Sequence, residues 1–166
     1  MLDMVDAVTV AVPTSLHRKV VNIISKEGVN ILVEKPIAGC VEDAEFILDS
    51  ASKAGITLAV GHIERYNPVI RNAKKFIDSG EFGNIITLSA KRLSSYPSRI
   101  RDVGVLFDLT IHDVDIMRYL ADSKVQSVYA TGGNKIDKKY EDYVVLSMEF
   151  ENDILGLCET NWLTPM

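Results

Sequence analysis

The sequence predicts an α/β protein in two parts: a parallel sheet built from strand-helix-strand units, then an α/β region with an open, mainly antiparallel sheet. In the first third, apolar β-branched runs alternate with helical stretches, the pattern of parallel units. The last two apolar runs are instead separated by Glu151-Asn152-Asp153, which is typical of a hairpin. A length of 166 residues with 47% apolar content suffices for one ordinary core or two small ones. We therefore expect a division into residues 1–62 and 63–166.

The first part is expected to hold three strands and two helices. The run from Ala7 to Val12 suits a strand buried on both faces. Thr14 or Ser15 offers an N-cap for the helix that follows, and Gly28 ends it. In chain order we expect a strand at 7–12, a helix from about 15 to 27, a strand at 30–33, a helix at 41–54 ended by Gly55, and a strand at 56–60.

The second part opens with Asn67-Pro68, a cap followed by proline at the first helical position. Gly80 is expected to end that helix. The elements predicted in order are a helix at 68–78, a strand at 85–93, an irregular basic stretch at 94–101, a helix at 105–121, and strands at 125–131, 143–150 and 154–162.

Composition narrows the class of partner. A formal net charge of -5 and a pI near 5.2 argue against nucleic acid, because phosphate binding needs a basic surface. No apolar stretch reaches the roughly 20 residues of a membrane span, and no signal peptide is evident. Cys40 and Cys158 are too few and too far apart for a disulfide framework or a zinc cluster. We expect a cytoplasmic protein that binds no metal.

Lys35 is the first candidate for chemistry. It follows the apolar run 31–33 in the segment Glu34-Lys35-Pro36. Open α/β sheets bind ligands beyond the carboxyl ends of their strands, so this ammonium group is expected at a ligand crevice. Pro36 restricts the backbone of Lys35 and allows a cis bond, which fixes where the lysine points.

Asp108 and His112 form the second candidate. Four residues apart on a helix, they stack on one face, so the carboxylate can orient the imidazole and make it a proton acceptor. With Asp115 they form a polar stripe among apolar neighbours. The alternative interpretations are a surface ion pair, a core histidine, or a divalent metal site of Asp108, His112, Asp115 and His62 in a hydrolase or epimerase.

A third candidate is the basic stretch and its surroundings. The guanidinium and ammonium groups could clamp a nucleotide pyrophosphate, or they could form a solvated edge and a loop. An aromatic ring nearby could stack on a sugar or base, or pack the loop. The residues concerned are Lys91, Arg92, Arg99, Arg101 and Tyr96.

Four of these features occur in one order along the chain and carry a family resemblance. They are Pro13-Thr14-Ser15-Leu16-His17, Glu34-Lys35-Pro36, Gly61-His62-Ile63-Glu64-Arg65-Tyr66-Asn67-Pro68, and the pair Asp108 and His112. In this order and approximate spacing they resemble the glucose-fructose oxidoreductase / inositol dehydrogenase (Gfo/Idh/MocA) family of NAD(P)-dependent enzymes. The stretches 96–104 and 159–165 look most like members that oxidise UDP-N-acetylglucosamine at its C3 hydroxyl.

The resemblance implies a Rossmann-type domain over 1–62 and a substrate-binding and oligomerisation domain over 63–166. It implies an NAD or NADP cofactor, a sugar or UDP-sugar substrate, and a homo-oligomer formed through the C-terminal sheet. The cofactor would be bound by Pro13, Thr14, His17, Glu34, Lys35, Pro36 and Arg65. The substrate would be bound by Lys91, Arg92, Tyr96, Arg99, Arg101, Asp108 and His112, and the catalytic residues would be Lys35, His112 and Asp108.

The chain departs from the family at the phosphate end of the cofactor site. None of its ten glycines forms the G-x-G-x-x-G turn that brings backbone amides against a pyrophosphate. We therefore expect a fragment truncated at both ends, inactive alone, that binds NAD(H) weakly or not at all. An alternative is a catalytically silent homologue that acts as an oligomerisation or binding module.

Overall fold

The computed structural model describes residues 1–81, 83–97, 102–136 and 139–165. They form two compact units, Met1–His62 and Ile63–Met166, and each has its own sheet and apolar core. The described chain is α/β, as predicted. No helix in these ranges combines the length and apolar content that a membrane span requires.

The first unit is a three-stranded parallel sheet with two helices. Its elements are β1 (Ala7–Val10), α1 (His17–Ser25), β2 (Asn30–Val33), α2 (Val41–Ala54) and β3 (Leu58–Val60). The strand order is β1-β2-β3, with Val33 of the central strand beside Val10 and Val60. The helix predicted at 41–54 is confirmed, and Gly55 ends it in the left-handed region with φ 67.

The core of the first unit lies on one face of the sheet. Val10, Ile31 and Val33 pack in one cluster with helix residues such as Val21 and Ile47. The strand order β1-β2-β3 means that both connections step across the sheet in the same direction. Right-handed connections of this kind place both helices on the same face of the sheet. On the other face Leu32 is 42% exposed. The expectation of strands buried on both faces is therefore wrong for the described chain, because its two helices cover only one.

The second unit is a mixed four-stranded sheet with two helices. Its elements are α3 (Pro68–Ser79), β4 (Thr87–Leu93), a π-helical turn (Leu106–Thr110), α4 (Ile111–Ala121), β5 (Val125–Gly133), β6 (Tyr143–Phe150) and β7 (Leu155–Asn161). The strand order is β4-β7-β6-β5, and only β4 and β7 run parallel. The expectation of a mainly antiparallel sheet is confirmed.

Local signals set the ends of these elements as predicted. Asn67 caps α3 by accepting a hydrogen bond from the Val69 amide at 3.0 Å, and Gly80 ends the helix with φ 75. The hairpin between β6 and β7 turns at Asp153, whose φ is 65. Aspartate is one of the few residues other than glycine that adopt this conformation readily.

The sheet of the second unit has one covered and one open face. Leu146, Met148 and Cys158 point to the covered face and pack with Met117 and Ala121 of α4. Strand side chains alternate between faces, so their neighbours point to the open face. There Val145, Leu155 and Leu157 are 49%, 48% and 46% exposed. Three aliphatic side chains therefore lie close together in solvent on this sheet.

Candidate functional site

Lys35 lies directly beyond the central strand of the parallel sheet. The Glu34 amide donates to the Val10 carbonyl at 2.9 Å, and the Gly61 amide donates to the Val33 carbonyl at 2.8 Å. The Lys35 amide donates to Glu34 Oε2 at 3.2 Å, and the Lys35-Pro36 bond is cis. The backbone on which Lys35 sits is thus tied to both neighbouring strands, and the lysine is partly exposed.

His17 is buried beneath the Lys35 segment, and its ring lies against backbone carbonyl groups. Its Nε2 lies 2.9 Å from the Val12 carbonyl oxygen, and its Nδ1 lies 3.1 Å from that of Pro36 and 3.2 Å from that of Ile37. The side chain is 1% exposed. The polar atoms of His17 thus join the loop after β1 to the loop after Lys35, and its role as a cofactor-lining residue stays a prediction.

The remaining cofactor candidates of the first unit differ in accessibility. Pro36 is buried, whereas Pro13, Thr14 and Glu34 are at least partly exposed. Pro13 and Thr14 begin the turn that leads into α1, and Glu34 precedes Lys35. The accessible candidates thus follow the carboxyl ends of β1 and β2, where ligands bind to such sheets.

Asp108 lies within an irregularity that the sequence did not predict, and His112 lies just after it. Asp108 belongs to the π-helical turn Leu106–Thr110, and His112 belongs to the first turn of α4. The helix expected over 105–121 is present, and its first part is π-helical where an α-helix would stack residues four apart. A π-helical turn widens the helix and rotates the residues before it relative to those after it, and such turns are frequent at functional sites.

Asp113 and Asp115 are buried on α4, and an arginine binds each of them. Arg92 of β4 donates to Asp113 from Nε at 3.1 and 3.2 Å and from Nη2 at 2.8 Å. Arg65 donates to Asp115 from Nε at 2.8 Å and from Nη2 at 2.6 Å. The hydrogen bonds that these carboxylates accept raise the pKa of both arginines. The pairs hold α4 to β4 and to the turn Ile63–Tyr66.

The two ion pairs add to the interpretation of the sequence. Asp115, expected in a polar stripe with Asp108 and His112, binds Arg65 through both of its oxygens. Asp113 was not singled out at all. The signal that could have found it is a pair of carboxylates in a helix with apolar neighbours, since buried carboxylates require a cationic partner.

Arg65 keeps part of its surface accessible. Besides its bond to Asp115, its guanidinium lies 5.5 Å from the centre of the Tyr119 ring, and its side chain is partly exposed. A cofactor contact by Arg65 stays a prediction. The carboxylate and the ring together fix the orientation of the guanidinium.

Of the basic residues that could clamp a pyrophosphate or form a solvated edge, the structure describes Lys91 and Arg92. Lys91 and Arg92 are consecutive in β4 and point to opposite faces of the sheet. Lys91 pairs with Glu159 at 2.7 Å on the open face, whereas Arg92 pairs with Asp113 beside α4. Arg99 and Arg101 lie outside the described residues. Tyr96 packs edge-on against Trp162 with ring centroids 5.5 Å apart, in line with the loop-packing alternative.

The described first unit fits one end of a dinucleotide. A cation and two accessible loops follow the carboxyl ends of adjacent parallel strands, which suits a nicotinamide and its ribose. The glycine-rich turn for the pyrophosphate is absent from the sequence. In the described ranges, no three His, Cys, Asp or Glu side chains lie together as a metal site requires.

Comparison with known proteins identifies the family. Residues 70–166 match the GFO/IDH/MocA C-terminal domain, and residues 1–62 match an oxidoreductase family with an NAD-binding Rossmann fold. The chain belongs to the GFO/IDH/MocA family of oxidoreductases. The resemblance carried by the Lys35 and His112 segments is thereby confirmed at the level of the family.

Several relatives have names or structures. The chain is 35% identical over 128 residues to UDP-N-acetylglucosamine 3-dehydrogenase of Acidithiobacillus ferrooxidans, which covers 77% of this chain and 40% of that protein. It is 29% identical to scyllo-inositol 2-dehydrogenase (NAD(+)) of Bacillus subtilis, in a match that covers 97% of this chain and 50% of that protein. The WlbA dehydrogenase of Bordetella pertussis, whose crystal structure contains NADH and UDP-GlcNAcA, superimposes with a TM-score of 0.90 at 27% identity. The superposition covers 99% of this chain and 50% of that one. The chain thus spans about half the length of the relatives it matches.

Proposed function

We propose that this chain is part of an NAD(P)-dependent dehydrogenase that oxidises a secondary hydroxyl of a sugar or nucleotide sugar. The observation that carries the proposal is Lys35 just beyond the central parallel strand, in a chain whose two regions match the two domains of one oxidoreductase family. A cytoplasmic location belongs to the same proposal, since both cysteines are free thiols.

The residue roles follow from charge and proton transfer. When bound, the nicotinamide cofactor accepts the hydride from the carbon that bears the hydroxyl. The hydroxyl proton leaves to His112, whose imidazole is the proton acceptor, and Asp108 is the proposed support of that ring. Lys35 stabilises the alkoxide charge as it develops, an interaction stronger in the transition state than in the ground state.

The substrate class is proposed from the relatives. One named relative acts on UDP-N-acetylglucosamine and another on scyllo-inositol, which share a ring that carries secondary hydroxyls. The higher identity to the first, 35% against 29%, favours a nucleotide sugar. Oxidation of scyllo-inositol but not of UDP-N-acetylglucosamine would favour a free ring alcohol instead.

We further propose a homo-oligomer formed through the open face of the second sheet. Val145, Leu155 and Leu157 expose aliphatic surface there, flanked by the ion pair of Lys91 and Glu159. An apolar centre with a charged rim is the usual composition of a protein interface. The same face supports the alternative function of a binding module, which needs no catalysis.

The test is turnover by the native protein, isolated from cells with its intact mass measured. Formation of reduced cofactor is followed at 340 nm with NAD or NADP and with the two substrates above. Lys35→Ala and His112→Ala should each lower turnover by about 10²-fold or more with normal folding. The matched controls Lys26→Ala and Arg118→Ala, at exposed positions, should keep it. Near-wild-type rates in both catalytic variants would overturn the proposal.

A further inference from the structure

The helix that carries Asp108 and His112 is held at its N-terminus by Glu141. The Val105 amide donates to the Glu141 backbone carbonyl at 2.9 Å, and the Leu106 amide donates to the Glu141 carboxylate at 3.0 Å. The first amides of a helix lack partners within the helix, and a carboxylate there also opposes the helix dipole. Glu141 lies 35 residues away in sequence, so this cap comes from the connection between β5 and β6.

Asp142 fixes the backbone that presents Glu141. Its side chain is fully buried, and its carboxylate accepts hydrogen bonds from the Lys135 amide at 2.9 Å and the Ile136 amide at 2.5 Å. The Asp142 carbonyl accepts from the Trp162 amide at 2.9 Å, and the Asp142 amide donates to the Gly133 carbonyl at 3.0 Å. The backbone next to Glu141 is therefore hydrogen-bonded on both sides, to the end of β5 and to the residue after β7.

Gly104 leaves the space that the Glu141 carboxylate occupies. A Cβ atom at this position would lie 2.2 Å from Glu141 Oε1, far inside van der Waals contact. The three atoms nearest to that Cβ all belong to the Glu141 carboxyl group. The Gly104 carbonyl in turn accepts from the Asp108 amide at 3.0 Å. The cap, the glycine and the proposed catalytic aspartate are thus directly connected.

We propose that Glu141 is a positioning residue: its capping contacts set the rotation of the π-helical turn and the start of α4, and hence the placement of Asp108 and His112. The inference rests on the proposed function in one respect, because that function gives Asp108 and His112 their role in turnover. Without the cap, the Val105 and Leu106 amides lose their acceptors, and the turn can rewind toward a regular helix. His112, which follows within two turns, would then move with it.

The experiment compares the NMR signals of the histidine rings in variants of the 166-residue chain at one pH. The chain has three histidines, and His17 and His62 belong to the first unit, so they serve as internal references. The ring signals of His112 should shift in Glu141→Ala and in Gly104→Ala, whereas those of His17 and His62 stay. Glu141→Gln retains an oxygen acceptor for the Leu106 amide and should restore the wild-type His112 signals.

A double variant sharpens the test. Gly104→Ala acts by displacing the carboxylate, so adding it to Glu141→Ala should produce no further shift of the His112 signals. In the native protein, Glu141→Ala should lower kcat by about 10-fold to 100-fold and leave the KM for the cofactor unchanged. If the wild type shows no turnover, the proposed function is wrong, and the NMR comparison alone then tests the positioning role of Glu141.

Two results would overturn the positioning role. One is a set of His112 signals in Glu141→Ala and Gly104→Ala that coincide with those of the wild type. The other is a change of equal size in all three histidines, which would mark a general loss of structure. Should Glu141→Ala fail to fold, Gly104→Ala compared with Glu141→Gln decides in the same way.

Discussion

Loss of the Asp113 carboxylate should lower the stability of the second unit. It is buried and receives three hydrogen bonds from Arg92, which is itself largely enclosed. Asp113→Ala leaves that guanidinium without its anion, so we expect a loss of about 2 to 3 kcal/mol in the free energy of unfolding. Urea denaturation measures it. Glu151→Ala, at an exposed turn position, is the control and should change stability by less than about 0.5 kcal/mol. An equal effect of both variants would contradict this assignment.

The two cysteines should differ in their reaction with a thiol reagent. Burial raises the pKa of the Cys158 thiol to about 12, whereas Cys40 is exposed. A raised pKa keeps the thiol protonated, so at pH 8 only about one Cys158 in ten thousand is the reactive thiolate. We expect one thiol to react in the folded protein and two after unfolding. The Cys40→Ser variant should lose the reaction of the folded protein. Rapid reaction of two thiols in the folded protein would show that Cys158 is accessible.

Single residues are predictable from the sequence where the signal is local. Lys35 was placed at the end of a strand because an apolar run and a proline bracket it, and the structure has it there. The burial of His17 is not predictable in this way, because it depends on the carbonyls of Pro36 and Ile37, which are remote in sequence. Asp113 was missed because its partner Arg92 lies on another element.

The elements were largely predictable, and their exceptions have physical reasons. Capping residues such as Asn67 and Gly55 define helix ends by local geometry, so they can be read from sequence. The π-helical turn at Leu106–Thr110 has no such local signal, and the Leu106 amide at its start is bound by Glu141, which lies 35 residues away in sequence. One-sided burial of the first sheet follows from where the helices cross, which an apolar strand sequence does not specify.

The open face of the second sheet should mediate self-association. Leu157→Glu places a charge among the exposed side chains of Val145 and Leu155, so the oligomer should dissociate. Sedimentation velocity at matched concentrations measures the change in mass. Leu48→Glu is the control, since Leu48 is also an exposed leucine but lies on α2 of the first unit. A wild-type chain that sediments as a monomer, or a Leu157→Glu variant that keeps the oligomer, would contradict the proposed interface.

For the molecule as a whole, cofactor affinity should reflect the part of the site that the chain contains. Lys35 and the loops beside it suit the nicotinamide end, and the glycine-rich turn for the pyrophosphate is absent from the sequence. We therefore expect the 166-residue chain to bind NADH with a Kd of about 1 mM or weaker in calorimetry. Micromolar binding would show that other backbone amides hold the phosphates.

Lys35 and His112 are proposed to serve one chemical step, and a double-mutant comparison of turnover tests that proposal. The native protein is assayed as wild type, Lys35→Ala, His112→Ala and the double variant, with folding checked for each. Groups that act as a unit have strongly non-additive effects, so the double variant should retain about the same residual kcat as either single variant. A double variant whose loss equals the product of the two single losses, or single variants that turn over like the wild type, would contradict the claim.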